Sequence, residues 1–193
     1  MMRVIRFAVL ACVGLWSAAA PVRADEAAAL AALRQGGHVA LMRHADAPGP
    51  SGDPAGFRLD DCATQRNLSD RGRTEAGAAG ARLKRDQARI TRIVSSPWCR
   101  CLDTARLLDL GPVETEEAFS NAFVLSNRRD DLAKAARAVI DAWKGDGTLL
   151  VVTHGANILA LTGHSPASGE IVVVAPGGSG HLRQIGRLPV PSR

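Results

Sequence analysis

The sequence predicts an α/β fold, a three-layer α/β/α sandwich with a mostly parallel central sheet. Residues 38–42 form a continuous apolar run, as expected for a strand that is covered on both faces. Residues 90–95 and 148–153 are predicted strands as well, and helical segments lie between these runs. Strands that alternate with helices along the chain favour a parallel sheet.

The first half of the chain begins with a predicted helix over 25–34, which is rich in Ala and Leu and ends before Gly36-Gly37. After the strand at 38–42, repeated Pro and Gly residues predict a loop over 47–61. A loop of this length within a compact domain is typical of a lid or a binding loop. Ser69 is a suitable N-cap for a helix over 69–84.

The second half continues the alternation of strands and helices. Apolar residues with helical spacing predict a helix over 130–143. The segments 171–175 and 181–185 are predicted to close the sheet as an antiparallel pair around Gly177-Gly178. The remaining predicted elements are a strand at 90–95, a helix at 97–108, a short edge strand at 113–115, a strand at 148–153 and a helix at 156–162.

Residues 1–24 have the organisation of a secretory signal peptide. Arg3 and Arg6 form a basic start, residues 7–20 are apolar but too short for a membrane span, and Val22-Arg23-Ala24 suits a signal peptidase. Cleavage after Ala24 leaves one domain over 25–193. We therefore expect a periplasmic or secreted protein with no stable membrane insertion once the signal is removed.

The charge of the chain argues against nucleic acid as a partner. The formal net charge is +5, and the predicted signal peptide contributes three arginines and no acidic residue, which leaves +2. The rest of the chain has no basic block interleaved with aromatic residues. Basic residues should instead concentrate where an anionic substrate binds.

Three cysteines lie in the predicted domain: Cys62, Cys99 and Cys101. In an oxidising compartment we expect one disulfide and one remaining thiol. Cys99 and Cys101 are too close in sequence for an ordinary bridge, so Cys62 is expected to pair with one of the two. A zinc site is the alternative, but a Cys-x-Cys pair without a second pair of ligands supports it weakly.

Arginine and histidine residues follow the ends of three predicted strands. Arg43 and His44 follow the first, Arg100 comes soon after the second, and His154 follows the third. Ligands of parallel sheets collect beyond the carboxyl ends of the strands. A neutral imidazole can attack phosphorus while guanidinium groups hold the phosphate oxygens, and nearby arginines favour that neutral form. We expect His44 as nucleophile and a protonated His154 that stabilises the transferring phosphoryl group.

Four segments resemble the motifs of the histidine phosphatase superfamily, the phosphoglycerate mutase-like group. They are residues 41–45, 67–73, 95–105 and 152–155, in the family's order. The resemblance implies a phosphoglycerate mutase-like fold, a covalent phosphohistidine on His44, a phosphate pocket from Arg43, Arg100 and His154, and no metal or cofactor. The small size and the export signal are similar to exported bacterial members, including those that act on lipopolysaccharide heptose phosphate.

The resemblance does not identify the acid that protonates the leaving group. Some members carry an acid directly after the second histidine, where this chain has Gly155. Glu170, which opens the strand predicted at 171–175, is the leading candidate for this acid, and Asp46 is held in reserve. General acid catalysis contributes roughly 10²–10⁴ in rate. Asn157 is expected either to bind the substrate or to cap a helix.

The sequence therefore predicts a phosphoric monoester hydrolase of the histidine acid phosphatase type, acting on a small phosphorylated substrate. Specialisation for phosphohistidine or for a lipopolysaccharide sugar phosphate stays open. So does a secreted protein that binds a phosphorylated ligand without turnover. A cysteine-dependent phosphatase is excluded, because four residues separate Cys101 from Arg106 where that loop needs five.

Overall fold

The computed structural model describes residues 20–190, and the predicted α/β fold is confirmed. The single six-stranded sheet has the order β3-β2-β4-β1-β5-β6, and β5 alone runs against the others. The sheet is therefore mostly parallel. The strands are β1 (Val39–Arg43), β2 (Ile90–Ser95), β3 (Val113–Thr115), β4 (Thr148–Thr153), β5 (Ile171–Val174) and β6 (Gln184–Leu188).

Five α-helices of the described part of the chain accompany the sheet: α1 (Ala20–Gln35), α2 (Asp70–Arg85), α3 (Cys99–Leu107), α4 (Arg129–Asp141) and α5 (Gly155–Thr162). Four of them lie within two residues of their predicted bounds, whereas α1 begins five residues before its predicted start. Most of the predicted signal peptide, residues 1–19, lies outside the described residues, and its last residues fall on the first turns of α1. Within residues 20–190, no helix is long and apolar enough to cross a membrane.

The core consists of two layers, one on each face of the sheet. Ala40 and Met42 of β1 pack with residues of α1, α2 and α3, whereas Val39 and Leu41 pack with residues of α4 and α5. Successive side chains of a strand point to opposite faces, so a strand covered on both sides needs apolar residues throughout. This explains the continuous apolar run that the sequence shows at β1.

The predicted antiparallel pair at the end of the chain is present, but its second strand begins at Gln184 instead of His181. The turn between β5 and β6 contains three glycines with positive φ angles, Gly177, Gly178 and Gly180. Glycine adopts this conformation at low cost, so the turn extends as far as Gly180. The Arg137 guanidinium of α4 donates hydrogen bonds to the carbonyl oxygens of these three glycines. The turn is therefore longer than its Gly-Gly pair suggested.

The start of α2 lies directly against the chain that leaves β1. Ser69 caps the helix, because its Oγ accepts a hydrogen bond from the Gly72 amide at 3.0 Å. The Ser69 amide donates to the Asp46 carbonyl at 3.1 Å. A Cβ atom on Gly72 would lie 2.1 Å from that same carbonyl oxygen, so only glycine permits this approach.

A disulfide joins Cys62 to Cys99, as one of the two predicted pairings, and Cys101 is free and buried. Cys62 follows the predicted loop 47–61, and Cys99 is the first residue of α3. The bridge therefore fastens the end of that loop to the residue that precedes Arg100.

We expect the Cys62→Ser/Cys99→Ser double variant to be about 2–4 kcal/mol less stable, since the bridge closes a chain separation of 37 residues. Urea unfolding of both proteins measures the difference. Reductant should destabilise the wild type and leave the double variant unchanged. An equal effect of reductant on both proteins would contradict a role of this bridge in stability.

Candidate active site

Two histidines lie side by side at the carboxyl edge of the sheet. β1 and β4 are parallel neighbours in which Arg43 pairs with Thr153, so the residues that follow, His44 and His154, are adjacent. The His44 amide donates to the Thr153 carbonyl at 2.9 Å. The two ring centroids are 5.5 Å apart, and the rings meet edge to face.

The tautomer of His44 follows from its backbone contact. Its Nδ1 lies 2.8 Å from the Ala45 carbonyl oxygen. A carbonyl oxygen accepts but cannot donate, so Nδ1 holds the proton and Nε2 keeps its lone pair. Burial lowers the pKa of His44 to about 3, and the charges of Arg100, Arg43 and Arg66 act in the same direction against the Ala45 hydrogen bond. The buried ring is therefore neutral at pH 7, which a nucleophilic imidazole requires.

Arg43 is held by the loop that precedes β5. Its amide donates to the Glu170 carbonyl at 3.1 Å, its carbonyl accepts from the Gly169 amide at 3.1 Å, and its Nη1 donates to the Pro166 carbonyl at 2.9 Å. Burial lowers the pKa of Arg43. A Cβ atom on Gly155 would lie 3.4 Å from the Arg43 side chain, an ordinary contact distance, so Gly155 packs directly beside Arg43.

Arg100 is completely buried and forms an ion pair with Asp53 of the predicted loop 47–61. Its Nη1 and Nη2 donate to the two carboxylate oxygens at 2.6 and 3.2 Å. Asp53 also accepts from Trp98 Nε1 at 2.9 Å and from the Arg66 amide at 3.1 Å. This partner could not be identified from the sequence, because the carboxylate comes from a loop 47 residues away.

Arg66 is a third guanidinium at the site, and it was not among the site residues expected from the sequence. Its Nε donates to the Gly52 carbonyl at 2.9 Å and its Nη1 to the Ala47 carbonyl. These contacts fix the side chain against the loop. The only sequence signal was its position directly before the family-like segment 67–73.

His154 is buried among polar and apolar neighbours. Its Nε2 is 2.9 Å from Ser96 Oγ and 3.6 Å from Cys101 Sγ, and its ring meets Trp98 edge to face at 5.5 Å. Burial lowers the pKa of His154 well below its usual value, and the nearby His44 ring and the charge of Arg100 act in the same direction. The neutral form is therefore favoured, whereas the sequence analysis expected the protonated one. An oxyanion beside the ring would raise this pKa.

Cys101 is a thiol at neutral pH. It is fully buried, and burial raises its pKa to about 12.

Within residues 20–190, no group of three or more His, Cys, Asp or Glu side chains could hold a metal ion.

A cavity of about 200 Å³ opens beside the two histidines. His44, His154, Arg43 and Arg66 line one part of it, and Phe123 and Leu159 line another. Arg100 does not line it, and none of the described Asp or Glu side chains does. The cavity therefore combines positive charge with an imidazole whose Nε2 is unprotonated.

The structure brings Arg43, His44 and His154 to this cavity, and Arg100 close behind it, but it directs the Glu170 carboxylate elsewhere. Glu170 Oε1 is 2.8 Å from His164 Nε2, and Oε2 accepts from the Ala167 amide at 2.8 Å. The reserve acid Asp46 is bound by Ser69 Oγ at 2.6 Å and by Arg71 at 2.5 Å. Its pKa is lowered by these Ser69 and Arg71 hydrogen bonds.

Asn157 does not line the cavity, but it positions a segment that does. Its Nδ2 donates to the Ser120 carbonyl at 2.8 Å, and its Oδ1 accepts from the Ala122 amide at 3.2 Å. Asn121 and Phe123, which flank Ala122, both line the cavity. Asn157 thus ties the 120–123 turn to α5 and does not serve as a helix cap.

The comparisons with known proteins agree with this architecture. The family model described as histidine phosphatase superfamily (branch 1) matches residues 39–124, a range that contains Arg43, His44 and Arg100. No curated protein matches the chain. The resemblance to this superfamily is thus confirmed over that range.

Three solved structures share the fold. The protein histidine phosphatase SixA complexed with tungstate is 20% identical, with a TM-score of 0.55, and the alignment covers 79% of this chain and 96% of that one. Mycobacterial glucosyl-3-phosphoglycerate phosphatase is 18% identical (TM-score 0.54; 76% and 96% covered). Phosphoserine phosphatase from Entamoeba histolytica is 17% identical (TM-score 0.56; 78% and 95% covered).

The pKa of His44 predicts how stability depends on pH. The folded-state pKa is about 3 and the ordinary value is 6.5, so the unfolded chain binds the additional proton as the pH falls below 6.5. His44 should therefore lower the free energy of unfolding by up to about 1.4 kcal/mol per pH unit between 6.5 and about 3. Urea unfolding at several pH values should show a shallower slope for His44→Gln than for the wild type.

The exposed His181 supplies the control for this measurement. His181→Gln should keep the pH slope of the wild type. A His44→Gln slope identical to that of the wild type would mean that His44 titrates normally in the folded protein.

Proposed function

We propose that this protein, a histidine phosphatase superfamily member by its match over residues 39–124, hydrolyses phosphate monoesters through a covalent phosphohistidine on His44. One observation carries the proposal. The Ala45 carbonyl holds the proton of His44 on Nδ1, so that an unprotonated Nε2 is available at a cavity lined by guanidinium groups. This is the arrangement that attack on a bound phosphate requires.

In the first step, Arg43 and Arg66 bind the phosphate oxygens and His44 Nε2 attacks phosphorus. The Nε2–P bond forms as the bond from phosphorus to the ester oxygen breaks, and the electron pair leaves with that oxygen. The ring becomes cationic, and its Nδ1–H bond to the Ala45 carbonyl becomes charge-assisted. Arg100 does not line the cavity, and both of its Nη groups are bound by Asp53, so we assign it a supporting role behind the cavity wall and not a direct contact with the phosphate.

In the second step, water attacks the phosphohistidine. The new P–O bond forms as the Nε2–P bond breaks, and the lone pair returns to Nε2, which regenerates the neutral ring. Both protons of the water stay on the phosphate that is released. His154 stands next to His44, and the charge of the bound phosphoryl group raises its pKa. We assign to His154 the stabilisation of the phosphoryl oxygens in both steps.

None of the described acidic groups is placed to protonate the leaving group. None of the described carboxylic acids lines the cavity, and Glu170 is bound by His164 and by the Ala167 amide. The proposed reaction is therefore fastest for groups that leave without protonation. This favours phosphohistidine as a second substrate class, and it is in keeping with the fold of the protein histidine phosphatase SixA.

For the location we propose the periplasm or the extracellular space. The Cys62–Cys99 disulfide supports this proposal, because such bonds persist mainly in oxidising compartments. The N-terminal signal-like segment supports it as well.

The covalent intermediate can be tested directly. Vanadate should inhibit, because it adopts the geometry of the phosphoryl transition state, and label from a ³²P-substrate should be recovered on His44 in an acid-labile form. His44→Ala should lower kcat/KM for 4-nitrophenyl phosphate by roughly 10³-fold or more. His181→Ala, at an exposed histidine, should retain activity, and chelators should have no effect. Vanadate binding without turnover in the wild type would instead identify a phosphate-binding protein.

The role of Glu170 can be tested with a series of leaving groups. Single-turnover phosphorylation rates should fall steeply from 4-nitrophenyl to phenyl to alkyl phosphates, because none of the described acidic side chains lines the cavity. Glu170→Gln should change all of these rates by the same factor, since the carboxylate braces the loop that holds Arg43. A much larger loss for alkyl than for aryl phosphates would identify Glu170 as the general acid after all.

A further inference from the structure

The cavity has an apolar wall that the chemistry of phosphoryl transfer does not require. Three large apolar side chains are exposed among residues 20–190: Phe123 at 51%, Leu159 at 46% and Leu59 at 41%. Two of the three, Phe123 and Leu159, line the cavity next to His44. Single exposed apolar residues are ordinary, but two that share one cavity with the proposed nucleophile form a binding surface.

The two apolar residues are held in place. Asn121 Oδ1 accepts hydrogen bonds from the amides of Phe123 and Val124 at 3.0 and 3.4 Å, which fixes the turn that presents the Phe123 ring. Asn157 of α5 binds the same turn at Ser120 and Ala122. Because Leu159 lies on α5 too, one short helix positions both halves of the apolar wall.

The rest of the wall is poorly suited to a cationic leaving group, and its neutral polar side chains are Ser51, Ser165 and Asn121. None of the described side chains that line the cavity is a carboxylate, which a cationic group would need. The Oδ1 atom of Asn121 is already occupied by two backbone amides. Gly52 and Gly155 contribute no side-chain polar groups.

We propose that the leaving group of the substrate is apolar and preferably aromatic, and that Phe123 and Leu159 bind it. A flat ring attached to the phosphate would lie against Phe123 while the phosphate stays at Arg43, Arg66 and His44. An aromatic leaving group also departs without an acid. The apolar wall and the lack of a carboxyl group among the described cavity residues therefore favour the same substrate class. This inference rests on the proposed function.

Phosphonates test this wall separately from the leaving-group chemistry, because their P–C bond is not cleaved. As competitive inhibitors, 1-naphthylphosphonate should bind about three- to tenfold more tightly than phenylphosphonate, and 2-hydroxyethylphosphonate should bind weakest. Phe123→Ser and Leu159→Ser should each reduce this preference for the larger ring. The kcat for 4-nitrophenyl phosphate should change less than the inhibition constants do.

Leu59→Ser is the matched control, since Leu59 is similarly exposed but does not line the cavity. It should keep both the activity and the preference of the wild type. All three substitutions are at exposed positions, and thermal unfolding verifies that each variant is folded.

The outcomes separate this inference from the proposed function. If His44 is phosphorylated but naphthyl and hydroxyethyl phosphonates bind equally, or the preference survives in both cavity variants, the apolar leaving group is excluded and the phosphatase stands. Loss of the preference in Leu59→Ser as well would also overturn the assignment to this wall. If His44→Ala retains full activity, the proposed function itself fails.

Discussion

The register of β1 against β4 is the constraint on which the candidate site depends. Arg43 pairs with Thr153, and both strands run in the same direction, so the residues after them are neighbours. A shift by one residue would turn the side chains of β1 to the opposite faces and separate the two imidazoles. The apolar side chains on both faces of β1 and β4 prevent this shift, because each fits one of the two core layers. The same packing that stabilises the fold therefore aligns the reacting groups.

The charges around the two histidines determine what the site can bind. Three guanidinium groups surround the neutral rings of His44 and His154, and Asp53 compensates the charge of Arg100. Within residues 20–190, no carboxylate lies within ion-pair distance of Arg43 or Arg66, which line the cavity with two uncompensated positive charges. A phosphate dianion matches this charge. Burial lowers the pKa of both imidazoles most, and the cations lower it further, so the groups suited to bind an anion also favour the neutral form of His44.

The sequence was sufficient for the sheet, for the N-cap at Ser69 and for the site residues that directly follow strands. It could not reveal Asp53 or Arg66, because the partners of a long loop depend on its folded path and not on a periodic pattern. Glu170 shows that the position of a residue can be predicted from the sequence while the direction of its side chain cannot. Since β5 is antiparallel to β1, the residue before β5 does lie at the carboxyl edge, and its carbonyl binds the Arg43 amide. The direction of its side chain, toward His164, was not encoded in that position.

The two halves of the cavity have separate structural origins. His44, His154 and Arg43 come from the strand ends and their immediate continuation, where the register of the sheet fixes them. Phe123 and Leu159 come from a turn and from a helix surface, which Asn157 joins through two hydrogen bonds. Changes in the turn or on the exposed face of α5 can therefore alter the leaving group that fits without moving the groups that attack and hold phosphorus. Under the proposed function, this separation assigns the choice of leaving group to the apolar wall and not to the imidazole pair.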